Sequence, residues 1–139
     1  WQRPPDHITA GMDRDVVLEA GWGRLVFGQT FDDHERLREV MRGETSGRRD
    51  ICLYLHDPHV LAATYPQEFF IDPSYTFRVR MHHYRPQADS PNGVRVRQLA
   101  SRDDAEIMNR IYVRCGMVPA DVDVLWHNQR TRNVTYLVA

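Results

Sequence analysis

Imidazole and carboxylate side chains gather at one point of the sequence, where His56 and His59 flank Asp57, and His82 and His83 follow downstream. Imidazole and carboxylate groups are ligands that zinc and other transition metals prefer. Adjacent histidines on a strand point to opposite faces, so only one of His82 and His83 could join such a site. A carboxylate followed by proline is equally typical of a turn in which the histidines bond locally. We predict the turn and no metal site.

Arginine and aspartate side chains form two further candidate groups. One is Arg48-Arg49-Asp50, and the other is the segment 72–74 (DPS) with Arg78. Guanidinium forks bind carboxylates in two-pronged geometry, so Arg49 and Arg78 are candidate substrate-binding residues. The alternative is that arginine and aspartate pair with each other and hold loops in place, and we favour this structural role.

Two residue types limit the covalent chemistry of the chain. There is no lysine, which excludes a Schiff-base lysine and a phosphate-binding lysine of the Walker type. Cys52 and Cys115 are too far apart to form a zinc motif or a disulfide framework. We therefore expect a reduced, cytoplasmic protein.

The overall composition is that of a globular domain. The 139 residues are 42% hydrophobic and 27% charged, and 18 basic side chains against 19 acidic ones leave a net charge of -1. Such a balance provides no field to hold a polyanion, so we expect no nucleic-acid partner. No apolar run approaches the roughly 18 residues that cross a bilayer, so we expect no membrane partner.

The sequence of the first part of the chain predicts several strands and one helix. Residues 22–31 and 51–55 favour strands, and 75–84 alternates between apolar and polar residues as a half-buried strand does. Asp32 is the predicted helix N-cap, with Glu35 completing a capping box. The predicted apolar face of this helix consists of Leu37, Val40 and Met41, and Gly43 is predicted to end it. Residues 60–63 fit a short strand or a helical turn equally well.

Residues 86–93 (PQADSPNG) have the composition of a linker and divide the chain into an N-terminal module, 1–85, and a second part, 94–139. The second part predicts a strand at 94–99, a helix capped by Ser101 with Asp104, a helix capped by Asp121, and a last strand at 134–139. The predicted core face of the first of these helices consists of Ala105, Met108, Ile111, Tyr112 and Cys115, with Gly116 ending it. The expected fold class is α/β (α+β).

The two ends of the sequence lead to one further expectation. The first residue is Trp1 rather than methionine, and the apolar run 134–139 has no turn or polar tail after it. Because a bare apolar edge strand invites pairing with other chains, we expect either a fragment of a longer protein or a strand that joins another sheet.

Several motifs resemble a known family. Residues 96–99 (VRQL), the acidic helix start at 102–105 (RDDA) and the strand at 134–138 resemble the opening of a GNAT-fold acetyltransferase. The segments 22–31 (WGRLVFGQTF), 47–78 and 110–119 (RIYVRCGMVP) resemble the N-terminal region of a GNAT-type acetyltransferase fused to an ATP-grasp ligase, the N-acetylglutaminylglutamine synthetase family.

This resemblance implies a parent enzyme that uses acetyl-CoA to acetylate a glutamine-type amine and ATP with magnesium to join two glutamine units. The turn R/Q-x-x-G-x-G/A that grips the acetyl-CoA pyrophosphate at a helix N-terminus is absent from the sequence, and so is the ATP-grasp portion. We expect neither cofactor site within this chain, whose part would be scaffold and some of the acceptor-amine side. The alternative is a non-catalytic module that oligomerises through 134–139 and completes its sheet with a second copy.

In GNAT enzymes the loop between the first two helices often lines the acceptor-amine site. That loop is 114–119 here, and by resemblance the acceptor-side residues are Tyr112, Arg114, Met117 and Trp126. Tyr112 and Trp126 fit equally well as core residues at helical spacing. We interpret Cys115 as a core residue rather than a nucleophile, because no histidine is evidently placed beside it.

Overall fold

The computed structural model describes residues 13–75, 77–86, 93–131 and 134–139, which form an α+β protein. Its strands are β1 (Val17–Glu19), β2 (Arg24–Phe27), β3 (Ile51–Leu53), β4 (Arg97–Gln98) and β5 (Leu137–Val138). Its α-helices are α1 (His34–Arg42), α2 (Pro58–Thr64), α3 (Arg102–Arg114) and α4 (Val122–Thr131), with 3-10 turns at Gly28–Thr30 and Met81–His83. Within these ranges, each helix is too short or too polar to cross a membrane.

The strands form two small sheets. The first has the order β1-β2-β3, antiparallel between β1 and β2 and parallel between β2 and β3. Its middle strand carries the fully buried Val26, which pairs with Val17 on one side and Cys52 on the other. The second sheet consists of β4 and β5. Both strands are shorter than the predicted 94–99 and 134–139.

The described residues separate into two compact units. One unit combines residues up to 56 with residues 98–138, and the other is formed mainly by 57–97. This grouping differs from the predicted division into 1–85 and 94–139, because the segment after β1 bonds directly to α4. The Asn128 side chain donates to the Glu19 carbonyl at 2.9 Å, and the Asp121 N–H donates to the Gly21 carbonyl at 2.8 Å. Most of the predicted linker lies outside the described residues.

An ion pair with a buried carboxylate fixes β2 within the first unit. The side chain of Asp50 is 2% exposed and accepts hydrogen bonds from the backbone N–H and the Nε of Arg24, both at 2.9 Å. The same guanidinium donates to the carbonyl of Val40 in α1 at 2.7 Å. The bond to Asp50 raises the pKa of Arg24 above its ordinary range. The pair therefore joins the start of β2, the residue before β3 and α1.

Helix α1 begins one residue later than predicted. Asp33, not Asp32, is the N-cap, and its carboxylate accepts from the Arg36 N–H at 2.7 Å. Asp32 instead pairs with Arg14 on the surface, so the predicted N-cap is wrong by one position, and Glu35 pairs with Arg38. The apolar face is confirmed at Leu37, which is fully buried.

The predicted strand at 75–84 is absent from the described residues of that segment. Tyr75 and Phe77 are 92% and 90% exposed, and Met81–His83 form a 3-10 turn. The alternation of apolar and polar residues over 75–84 would suit one buried face of a sheet. A strand also needs a neighbouring strand to form hydrogen bonds with its backbone. The predicted strand at 22–31 is likewise shorter, because it changes into a 3-10 turn at Gly28.

The undecided segment 60–63 is helical. It belongs to α2, where Pro58 occupies the first turn, as its fixed φ and missing N–H favour. Asp57 precedes it in the left-handed region at φ 51°, so the chain turns sharply between Tyr54 and the helix. Leu61 is the buried residue of α2.

Both predicted helices of the second part are confirmed. Ser101 and Asp104 form a complete capping box on α3, and the Asp121 carboxylate accepts from the Asp123 N–H at 2.8 Å. Gly116 follows α3 at φ 71°, a conformation that glycine adopts without strain. Two predicted core positions on α3 are wrong, because Ile111 is 51% exposed and Cys115 is also exposed.

Candidate functional site

The loop between α3 and α4, where the acceptor-side residues were predicted, is held by one asparagine. The Asn109 Oδ1 accepts from the Ala120 N–H at 2.8 Å, and its Nδ2 donates to the Ala120 carbonyl at 2.6 Å. Ala120 is itself buried. Because both backbone groups of this residue are satisfied by one side chain, the end of the loop has a fixed position on α3.

Two glycines let the segment after β1 approach its neighbours closely. Gly21 has φ 86°, and a Cβ atom there would lie 3.3 Å from the Ala120 Cβ. At Gly23 a Cβ atom would lie 1.6 Å from the carbonyl oxygen of Arg49, so no larger residue fits. The backbone of this segment therefore packs against the α3–α4 loop and against Arg49, which lies just before β3.

A hydrophobic core lies beneath the loop. Its buried members are Leu99, Ala105, Met108, Ala120 and Leu125. The candidate residues Tyr112 and Trp126 are partly buried and pack against this core, as do Trp22 and Tyr136. The structure thus places Tyr112 and Trp126 on one side of the helix pair.

Tyr112 carries a polar phenol hydroxyl beside this core. Burial raises the pKa of its phenol, and the nearby Tyr136 raises it further. The phenol therefore keeps its proton at neutral pH. Its hydroxyl has no hydrogen-bond partner among the described residues, so it is available to donate a hydrogen bond to a ligand.

The structure separates Arg114 from Tyr112. The two residues are two positions apart on α3, which places their side chains on nearly opposite faces of the helix. Met117 lies just beyond the helix, where its N–H donates to the Tyr112 carbonyl at 2.9 Å and its side chain is 53% exposed. The described geometry therefore places Tyr112 and Trp126 against one core, joins Met117 to Tyr112 through a backbone bond, and turns Arg114 away from Tyr112.

The arginine candidates of the first part are not brought into this group. The Arg49 side chain is exposed, whereas its neighbour Arg48 donates to Glu19 at 3.0 Å and to the Gly21 carbonyl at 2.9 Å. Arg48 thus pairs with a glutamate, and Asp50 pairs with Arg24 rather than with either of the arginines that precede it. Arg78 is exposed and belongs to the second unit.

The described histidines lie in separate places. Across the described ranges, no three histidine, cysteine, aspartate or glutamate side chains come together as a metal site would require. His82 and His83 contact each other, with ring centroids 4.0 Å apart. His56 and His59 are exposed on either side of the turn that precedes α2.

Two asparagines that complete the site are not apparent from the sequence patterns. Asn128 Nδ2 donates to the Glu19 carbonyl at 2.9 Å and to the Tyr136 hydroxyl at 3.2 Å, and Asn109 clamps the loop. In the sequence, each is only a carboxamide at a half-buried position of a predicted helix. Such a carboxamide needs hydrogen-bond partners, but the sequence does not indicate which distant residues provide them.

Three of the four described helix starts are capped by their own side chains. A pyrophosphate is held by free N–H groups at a helix N-terminus. In α1, α3 and α4 the side chains of Asp33, Ser101 and Asp121 accept from one or two of these groups, whereas the start of α2 has no side-chain cap. Asp103 and Asp123 add negative charge to the first turns of α3 and α4, which repels a phosphate.

Comparison of the chain with models of protein families, with curated proteins and with solved structures finds no match. The relationship to GNAT-type acetyltransferases therefore stays a prediction from the sequence motifs.

Proposed function

We propose that this chain is the N-terminal portion of a GNAT-type N-acetyltransferase of the N-acetylglutaminylglutamine synthetase family. One observation carries the proposal. β4, α3, α4 and β5 follow each other in the chain, and β4 and β5 pair in one sheet. This is the order that the resemblance implies for the opening of such a domain. The α3–α4 loop is then the segment beside the acceptor amine.

In this function the chain supplies scaffold and part of the acceptor-amine side. Tyr112 donates a hydrogen bond from its protonated phenol to a carbonyl or amide oxygen of a glutamine-type substrate. The exposed Met117 gives an apolar contact from the loop, and the partly buried Trp126 gives a second one. Asn109 keeps the loop in place so that these groups hold their positions when the substrate is absent.

The acetyl-CoA and ATP–magnesium sites lie outside this chain in the proposal. The capped helix starts and the absence of a glycine-rich phosphate turn from the sequence support this assignment. We also propose a cytoplasmic location, because Cys52 and the exposed Cys115 are both free thiols.

The test uses a gene product that contains this chain together with the sequence that follows it. We expect this product to transfer an acetyl group from acetyl-CoA to a glutamine-type amine. Tyr112→Phe should raise the KM for the amine about three- to tenfold, the value of one neutral hydrogen bond, and leave the KM for acetyl-CoA unchanged. Tyr54→Phe is the matched control, because Tyr54 is 58% exposed and distant in sequence from the loop.

Two results would contradict the proposal. One is a longer product that acetylates no amine. The other is calorimetry in which acetyl-CoA binds tightly to the chain of residues 1–139 alone, since the proposal places the acetyl-CoA site outside this chain.

A further inference from the structure

Helix α3 has a second face that the core does not use. Ala105, Met108 and Tyr112 turn inward at spacings of three and four residues. The opposite face, which we call the outer face of α3, follows the same spacing. It consists of Asp103, Glu106, Ile107, Arg110, Val113 and Arg114, with Ile111 at its margin.

This outer face exposes aliphatic side chains. Ile107, Ile111 and Val113 are 46%, 51% and 61% exposed. An open depression of about 560 Å³ runs along the face and is lined by these three residues together with Asn109, Arg110 and Arg114. Apolar side chains that cluster on one helix face, rather than being scattered singly, mark a contact surface.

The charges of the outer face are divided by sign along the helix. Asp103 and Glu106 lie toward its N-terminus, and Arg110 and Arg114 lie toward its C-terminus. Elsewhere in the structure most described arginines on helices have an acidic partner, as Arg36 does with Asp15 at 3.1 Å. None of the four charged groups of the outer face forms an ion pair with a described residue.

We propose that a second copy of this chain docks on the outer face of α3, with the two α3 helices antiparallel about a two-fold axis. Such an axis between residues 108 and 109 brings Asp103 opposite Arg114 of the second copy and Glu106 within one position of Arg110 of the second copy. Because a two-fold contact is reciprocal, each of these pairs occurs twice. Ile107 and Ile111 then cover each other across the axis.

The division of charge selects this occupant and this direction. A parallel pairing would place acidic groups on acidic groups and arginines on arginines, which repel. The antiparallel pairing satisfies all four charged groups with residues of the same chain, so no acidic partner of another kind is needed. The inference does not depend on the proposed acetyltransferase function, since Tyr112 and the loop lie on the other side of α3.

The test is sedimentation velocity of the chain over a range of concentrations, with two charge variants. R110E/R114E makes the outer face wholly acidic, and D103R/E106R makes it wholly basic. We expect the wild-type chain to form a dimer. Each variant alone should dimerise at least about tenfold more weakly, because every opposed pair becomes a like pair. An equimolar mixture of the two variants should form the dimer again.

The mixture keeps the test decisive even though reversed charges also weaken a helix end. Circular dichroism checks that each variant is folded. R85E/R130E is the control for R110E/R114E, since it makes the same change in net charge on exposed residues elsewhere. A wild-type monomer at all concentrations would overturn the inference. So would a dimer that survives R110E/R114E, in particular one abolished by Leu137→Asp, which would place the contact on β5.

Discussion

The carboxamide of Asn109 bonds both the N–H and the carbonyl of Ala120, eleven residues further along the chain. One side chain thereby fixes the end of the α3–α4 loop through two hydrogen bonds to its backbone. The loop that leads from α3 to Ala120 includes Gly116 and the exposed Met117. Ala120 cannot move away from α3 unless both of its hydrogen bonds to Asn109 break.

Replacing Asn109 by alanine should therefore destabilise the protein. The buried Ala120 N–H and carbonyl would both lose their partner, so the free energy of unfolding should fall by about 1–3 kcal/mol. Urea denaturation followed by circular dichroism measures the change. Gln29→Ala is the control, since it also removes a carboxamide but from an exposed position, and a similar loss in both variants would contradict the role of Asn109.

Gly23→Ala should prevent the native packing of the first sheet. Its methyl group would lie 1.6 Å from the Arg49 carbonyl oxygen and 2.4 Å from the carbonyl carbon, both backbone atoms that a side-chain rotation cannot remove. We expect loss of the cooperative unfolding transition in urea.

Gly47→Ala gives the matched comparison for Gly23. Gly47 has φ 77° but no atom within 4 Å of a built Cβ, so only the conformational strain of about 1–2 kcal/mol applies. Equal unfolding midpoints for the two variants would show that the close approach at Arg49 does not matter.

The Arg24–Asp50 pair should matter far more than a surface pair. Asp50→Ala leaves the Arg24 guanidinium and N–H without their main partner in a partly buried place, so we expect a loss of about 3–5 kcal/mol. Glu35→Ala breaks the exposed pair with Arg38 and should change stability by less than about 1 kcal/mol. Chemical denaturation of both variants at neutral pH makes the comparison. A small effect of Asp50→Ala would contradict the claim that the Arg24–Asp50 pair fixes β2.

Stability should decline in alkaline solution because of Cys52. Burial raises the pKa of the Cys52 thiol above its ordinary value of 9.0, although a backbone hydrogen bond to Gly28 lowers it in part. The unfolded chain then releases this proton at a lower pH than the folded chain does. The stabilisation is fully present below pH 9.0 and is lost as the pH rises through the folded pKa.

Urea titrations between pH 7 and pH 10 measure this decline as a slope. Cys52→Ala should flatten it, even if the smaller side chain lowers the stability at every pH. Cys115→Ala should leave the slope unchanged, because Cys115 is exposed. A slope that both variants preserve equally would mean that the alkaline loss has another origin.

The parts of the fold that local chemistry decides could be predicted from the sequence. The capping box of Ser101 and Asp104 and the cap at Asp121 each involve residues within three positions, and the structure contains both. Even there, two adjacent aspartates left the start of α1 uncertain by one residue, because either carboxylate could serve as the cap and only the contact of Asp32 with Arg14 separates them.

The parts that depend on distant partners could not be predicted. The alternation over 75–84 indicates a strand, but it contains no information about whether a neighbouring backbone is present to bond it. The site shows the same limit. Tyr112 and Trp126 follow from helical spacing, whereas the partners of Asn109 and Asn128 are set by how the helices pack. The separation of Arg114 from Tyr112 follows from helix geometry once the bounds of α3 are known.

The first unit is assembled from two stretches of chain, one before residue 57 and one after residue 97. On the ribosome, the three strands around Val26 therefore emerge well before the helices whose residues bond to Glu19 and Gly21. Before Asp121 and Asn128 have been synthesised, the backbone after β1 is held only from within the first stretch, by bonds such as that of Arg48 to the Gly21 carbonyl. A chain truncated before α4 would therefore lack the Asn128 bond to the Glu19 carbonyl, while the three strands keep their own pairing.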